Sequence, residues 1–266
     1  MQTDSSTTSI APAAPAPFAM IVGGLSGDNS EASLRRMGLR PELVSSEATA
    51  SAGPTYRLHL GTMTALVGPA AAAALDAADP RHPATSLLAA RLPPGWQAEG
   101  QVWTLVPEGT GGGMIEAVRL REFFKMAVLL IDLLDASHIF WSPARLWSDA
   151  PQFRGAVAEM LISGMPPVLH LVAFRRRDDA EAETVHTRGL ALFGGQEIEG
   201  RIPPGWTIAE MVKRLSRLAL DVILHEPVTE ERRLRGLGPG EWVSLVPEPA
   251  RAGKGAVVRV EFGSDL

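Results

Sequence analysis

Apolar residues in this chain come in short bursts, and one stretch carries them on a helical period long enough to commit the fold. Between Met114 and Leu134, apolar Leu120, Phe123, Phe124, Ala127, Leu130 and Leu134 recur at spacings of three and four, while Arg119, Glu122 and Lys125 face away. That is an amphipathic helix with one face for a core. Elsewhere 26 glycines and 21 prolines cut the 266 residues into short segments. Such punctuation favours strands and turns over a helical bundle. The expected class is therefore α+β, with antiparallel or mixed sheets and helices packed on one face.

Strands are expected at Phe18 to Val22, across the hairpin Tyr56 to Val67 with Gly61 at its bend, and at Val102 to Val106. Further strands follow at His138 to Trp141, Val168 to Phe174, Gln196 to Glu199, Val222 to His225, Trp242 to Val246 and Ala256 to Phe262. Helices are expected around Glu31 to Met37, at Ala70 to Ala78, and at Pro151 to Ser163, where Gly164 ends the run. Thr207, with Glu210 three residues on, caps a helix to about Ala219. The charged run Arg175 to Asp179 reads as a solvated turn, and the glycines 111–113 as a link.

Residues 1–17 are Ser, Thr, Ala and Pro with almost no charge, the composition of a disordered tail. Residues 18–266 read as one globular domain. Three short strings recur in the chain: Leu58-His59-Leu60 as Leu169-His170-Leu171, Pro93-Pro94-Gly95-Trp96 as Pro203-Pro204-Gly205-Trp206, and Leu105-Val106-Pro107-Glu108 as Leu245-Val246-Pro247-Glu248. They raise the alternative of two similar ferredoxin-like halves, pseudo-repeated subdomains at 18–137 and 138–266.

The net charge of −5 argues against nucleic-acid binding, which rests on a basic face that neutralises phosphates. Without cysteine the chain has no disulfide, no thiol nucleophile and no cysteine-ligated metal. The first 18 residues hold no Lys or Arg and no apolar block, so they do not read as a signal peptide. No apolar run approaches the roughly 20 residues of a membrane span. The expected location is the cytoplasm, with neither membrane nor nucleic acid as partner.

Catalytic motifs are missing where they would be visible. There is no Gly-x-Ser-x-Gly elbow, no Walker loop, and none of the six histidines has metal-ligand spacing. Neither cofactor nor metal is implied. Trp141 and Trp147, beside Phe140, are candidate anchors for a partner, against the alternative that they pack the core beneath the Ser142-Pro143 turn.

The segment Thr187 to Gly200 carries the one recognisable pattern: Thr187, Gly189, Leu190, Phe193, Gly194 and Glu197 in the form Thr-x-Gly-Leu-x-x-Phe-Gly-x-x-Glu. This resembles the bacterial domain-of-unknown-function family 4261, with the match strongest over residues 100–227. The resemblance implies no activity. Physically, Gly189 and Gly194 permit backbone conformations closed to other residues, Thr187 can cap, and Glu197 can pair with Arg188.

Two functions are then expected in competition. The first is a non-enzymatic binding or protein-interaction module that neutralises or chaperones a partner, with Thr187, Gly189, Phe193, Gly194, Trp141 and Trp147 as binding residues. The second is an enzyme or small-molecule sensor near the glycine turn, with His186, Arg188 and Glu197 as the catalytic candidates.

Overall fold

The computed structural model describes residues 18–25, 30–44, 53–88, 91–98, 100–109, 117–179, 182–250 and 255–264. The tail expected over 1–17 and the glycine link at 111–113 lie outside these residues. In chain order the first elements are β1 (Ala19–Val22), α1 (Ser30–Arg36), β2 (Glu42–Val44), β3 (Thr55–Leu60), β4 (Met63–Pro69), α2 (Ala72–Ala77) and β5 (Ser86–Leu87). Next come β6 (Val102–Pro107), α3 (Ala117–Leu133), β7 (His138–Trp141), β8 (Leu146–Asp149), α4 (Ala150–Ser163) and the single turn α5 (Val168–Leu171). The rest is β9 (Ala173–Asp179), β10 (Ala182–Arg188), the single turn α6 (Ala191–Gly194), β11 (Gln196–Arg201), α7 (Ile208–Leu224), β12 (Arg232–Arg235), β13 (Glu241–Glu248) and β14 (Ala256–Ser264).

Two sheets result. One has eight strands in the order β2-β3-β4-β6-β1-β7-β8-β5, the other six in the order β12-β13-β14-β11-β10-β9. Neighbours are antiparallel in the first sheet except β5 with β8, and in the second except β11 with β14. The protein is α+β with mixed sheets.

Local chemistry explains the elements that were foreseen. Gly61 turns the β3–β4 hairpin at φ +57, and the Thr62 N–H and hydroxyl both donate to Glu122 of α3 at 2.8 Å. Asp149 caps α4 by accepting from Gln152 N at 2.9 Å, and Gly164 ends it in the left-handed region. Thr207 and Glu210 form a complete capping box at the start of α7.

Three expectations are corrected. The expected strand Val222 to His225 belongs almost wholly to α7, because Met211, Leu215, Leu218, Ala219 and Val222 form one buried stripe at helical spacing. Val168 to Phe174 is divided: Pro166-Pro167 precede the turn α5, and extended chain resumes only at Ala173. Arg175 to Asp179 is no turn but most of β9, which pairs with β10 as a hairpin and carries Arg175 and Arg177 on one face and Arg176 on the other.

Helices α3 and α4 cover one face of the first sheet. There Phe124 lies 5.8 Å from Phe123, 5.5 Å from Trp141 and 6.1 Å from Phe153 between ring centroids. The opposite face, at Met20, Val22, Val102, Phe140 and Trp147, is covered by α2 and by Leu92 and Trp96. Helices on one face therefore describes the second sheet, which α7 covers, while the first is closed on both faces at its centre. Side chains from both sheets join one continuous core through α3, α4 and α7.

One of the three recurring strings changes its structure between copies. Leu58-His59-Leu60 lies in β3, whereas Leu169-His170-Leu171 lies in the helical turn α5. Both Pro-Pro-Gly-Trp strings are turns with glycine at positive φ, and both Leu-Val-Pro-Glu strings end strands. The strand orders differ, and β7 and β8 join the first sheet, so the sheets do not divide at residues 137 and 138. In the second sheet β14 inserts between β13 and β11 and runs parallel to β11. Among the described residues no helix is long and apolar enough to cross a membrane.

Candidate functional site

The pattern Thr187 to Glu197 folds into a clip at the end of the β10–β11 pair. Thr187 is buried; its hydroxyl donates to Glu197 Oε2 at 2.7 Å and accepts from Ile198 N at 2.7 Å. Glu197 Oε1 accepts from the backbone N–H of Gly189 at 2.8 Å and of Ala191 at 3.2 Å, and Oε2 also accepts from Leu190 N at 3.2 Å. One carboxylate thus gathers the N–H groups that open α6. Burial pushes the Glu197 carboxyl above its ordinary value of 4.5, against the pull of those donors.

The glycines serve close packing. Gly189 sits at φ +96, and a Cβ there would lie 3.0 Å from the backbone and Cβ of Ala144. Gly194 faces α7, where a Cβ would come within 2.5 Å of Val222 Cγ1. Leu190 is fully buried, and Phe193 lines a groove against α7. The motif is a packing device that seats the β7–β8 turn against the second sheet.

That seating brings a set of cations together. His186 pairs in register with Arg175 of β9 and Glu199 of β11, so the three share the sheet face away from α7. Arg188, two residues on from His186, lies on the same face. The turn Ser142 to Arg145 contributes Arg145, held at φ +47, a left-handed conformation unusual for a side chain of its size. Burial holds Arg188 below the ordinary guanidinium range, and the Arg145 and Arg175 guanidiniums depress it further. Arg145 is lowered by burial and then by Arg175.

Arg188 makes no ion pair with Glu197, whose oxygens are spent on the clip. The candidate trio His186, Arg188 and Glu197 is therefore brought near, but its carboxylate is unavailable as a base. Arg145 and Arg175 were not singled out in the sequence. The first depends on a backbone angle that sequence does not print, and the second was hidden in an apparent solvated turn.

Trp141 and Trp147 offer no surface to a partner. They are 2% and 0% exposed and lie on opposite faces of the first sheet. Their position beneath the Ser142-Pro143 turn agrees with the alternative that they pack the core.

His186 and His170 are both held below 6.5, chiefly by burial, with Arg177, Arg175 and Arg188 adding to the effect at His186. Their neutral forms belong to the folded state. The stabilisation is present above the unfolded value near 6.5 and is lost as pH falls below it. Glu197 has the opposite sign, losing its contribution as pH rises above 4.5. The melting temperature is expected to fall between about pH 7.5 and about pH 5.5. The double variant His170→Asn, His186→Asn should flatten that slope, and an unchanged slope would show that neither imidazole is linked to folding.

A second feature is an apolar groove of about 260 Å³ between α3, α4 and α7. Leu120 and Phe124, Met160, Phe193, Ile223 and Leu224 line it, and Arg121 supplies its charge. Large aliphatic side chains stand open beside these residues in the chain: Ile162 is 85% exposed, Val118 63% and Leu224 45%.

Comparison of the chain with protein-family models, with curated proteins and with solved structures finds no match.

Proposed function

We propose that this chain is a cytoplasmic, non-enzymatic binding module that docks an apolar helical segment of a protein partner in the groove between α3, α4 and α7. The observation that carries the reading is the apolar lining of the groove, with Leu224 45% exposed within it, since a concavity lined by apolar side chains marks a contact site. A segment presenting apolar side chains one helical turn apart suits it. Arg121, the charged residue of the lining, favours acidic residues flanking that segment. The commitment of Glu197 to hydroxyl and backbone donors supports the non-enzymatic side of the reading. On this view the motif that resembles family 4261 secures the architecture around the groove rather than performing chemistry.

The test is co-purification from the native host at native expression, comparing wild type with Leu224→Arg. Leu224 lies on the rim, so its substitution is expected to change stability by no more than about 0.5 kcal/mol. A partner bound in defined ratio to wild type, and lost from the variant at unchanged melting temperature, is the expected result. A chain that stays solitary in both forms, or a variant that keeps its partner, rejects docking at this groove. A partner that is a second copy of the chain turns the reading to self-association.

A further inference from the structure

The seam between the two sheets carries a feature that the groove does not account for. Arg145, Arg175 and Arg188 converge there from the β7–β8 turn, β9 and β10. Among the described residues none of the three forms an ion pair. The Arg145 guanidinium donates to Thr85 Oγ1 at 3.1 Å, while its buried Nε has no partner. Arg175 donates to Ser86 Oγ at 3.3 Å and to the carbonyl of Pro83. Buried His186 Nδ1 also has no partner.

The carboxylates within electrostatic reach are engaged elsewhere. Glu197 serves the clip, Glu199 lies 3.6 Å from Arg177, and Asp79 accepts from Arg81 N. Three partly desolvated guanidiniums with no carboxylate paired to them are costly, and buried donors are ordinarily satisfied. Arg145 adds backbone strain, since a left-handed arginine persists only where the surroundings enforce it. Strain, like-charge crowding and orphaned donors coincide at one place, and a single multivalent anion relieves the last two.

We propose that Arg145, Arg175 and Arg188, with His186 at their edge, form a binding site for a phosphate group, carried by inorganic phosphate or by a small phosphomonoester. A carboxylate is satisfied by one bidentate guanidinium, whereas a tetrahedral dianion presents enough oxygens for several. Thr85 and Ser86 orient two of the guanidiniums from the neighbouring sheet, so the site exists only when the seam is closed.

The site is separate from the helix-lined groove, and its test is independent of any protein partner. The full chain is titrated with inorganic phosphate, and in parallel with glycerol phosphate, against sodium chloride at matched ionic strength. Binding is followed by melting temperature and by calorimetry. Wild type is expected to gain several degrees in phosphate beyond the chloride control. Arg188→Gln should weaken binding at least about tenfold. Arg145→Asn should abolish the phosphate response, yet melt no lower than wild type without ligand, because asparagine accepts the left-handed turn and removes one repelling charge. Tighter binding of the ester than of inorganic phosphate assigns the site to an organic phosphate; the reverse assigns it to the free anion. Equal responses of wild type to phosphate and chloride, or a response retained in both variants, overturn the proposal.

Discussion

Replacing Trp147 by alanine is expected to lower stability by about 4 kcal/mol, read as a shift of the urea midpoint at unchanged slope. The indole is fully buried on the α2 side of the first sheet. It lies 5.1 Å from Trp96 in an edge-on arrangement and 5.1 Å from Phe140, and its N–H donates to the carbonyl of Ala78 at 2.8 Å. Alanine removes the ring contacts and orphans that carbonyl together. Phenylalanine keeps most of the ring volume, so Trp147→Phe should cost about 1–2 kcal/mol, mainly the unmade hydrogen bond. A tryptophan serving a partner would behave differently, with Trp147→Ala binding less but melting as before. An unchanged midpoint would overturn the buried role.

Glu197→Ala should cost about 3 kcal/mol, because it strips four donors of their acceptor in a largely closed site. Glutamine is a graded control. Each carboxylate oxygen receives two donors, and an amide presents one oxygen and one donor group to them. Glu197→Gln is therefore expected to lose about 2 kcal/mol rather than to rescue the site. Thermal or denaturant unfolding of the three proteins checks the order. A catalytic Glu197 predicts the contrary pattern, with stability kept in both variants. Equal stability of all three would dismiss the clip.

These two side chains also show how far sequence reached. The periodicity of α3 was legible because its apolar positions keep one spacing throughout, and α4 and α7 announced their ends through Gly164 and Thr207. The C-terminal part of α7 was missed because Val222 and Ile223, read over a few residues, look like strand; only the long stripe from Met211 shows the helix. β9 was missed for a different reason. Arg175, Arg176 and Arg177 are consecutive, so the strand puts charge on both of its faces and shows no apolar alternation; only its pairing with β10 defines it.

At the site, sequence located Thr187, Gly189 and Glu197 but gave them the wrong company. Arg188 was the expected partner of Glu197, yet backbone N–H groups of the next turn are closer donors once Gly189 takes a positive φ. The cluster around Arg188 draws its other members from residues 145 and 175, and only sheet pairing and the contact of Ala144 with Gly189 bring them together. Such long-range placement has no local signature.

The position of β14 has a consequence for how the chain comes to be. It is the last strand in chain order, yet it stands inside the second sheet, flanked by β13 and β11. During synthesis β9, β10, β11 and α7 emerge long before the strand that joins them to β12 and β13. Until then the edge of β11 is unpaired, and the apolar stripe of α7 lies on an unfinished sheet. The six-stranded sheet can close only after translation has passed residue 256, which leaves its first three strands and α7 aggregation-exposed on the nascent chain until β14 has emerged.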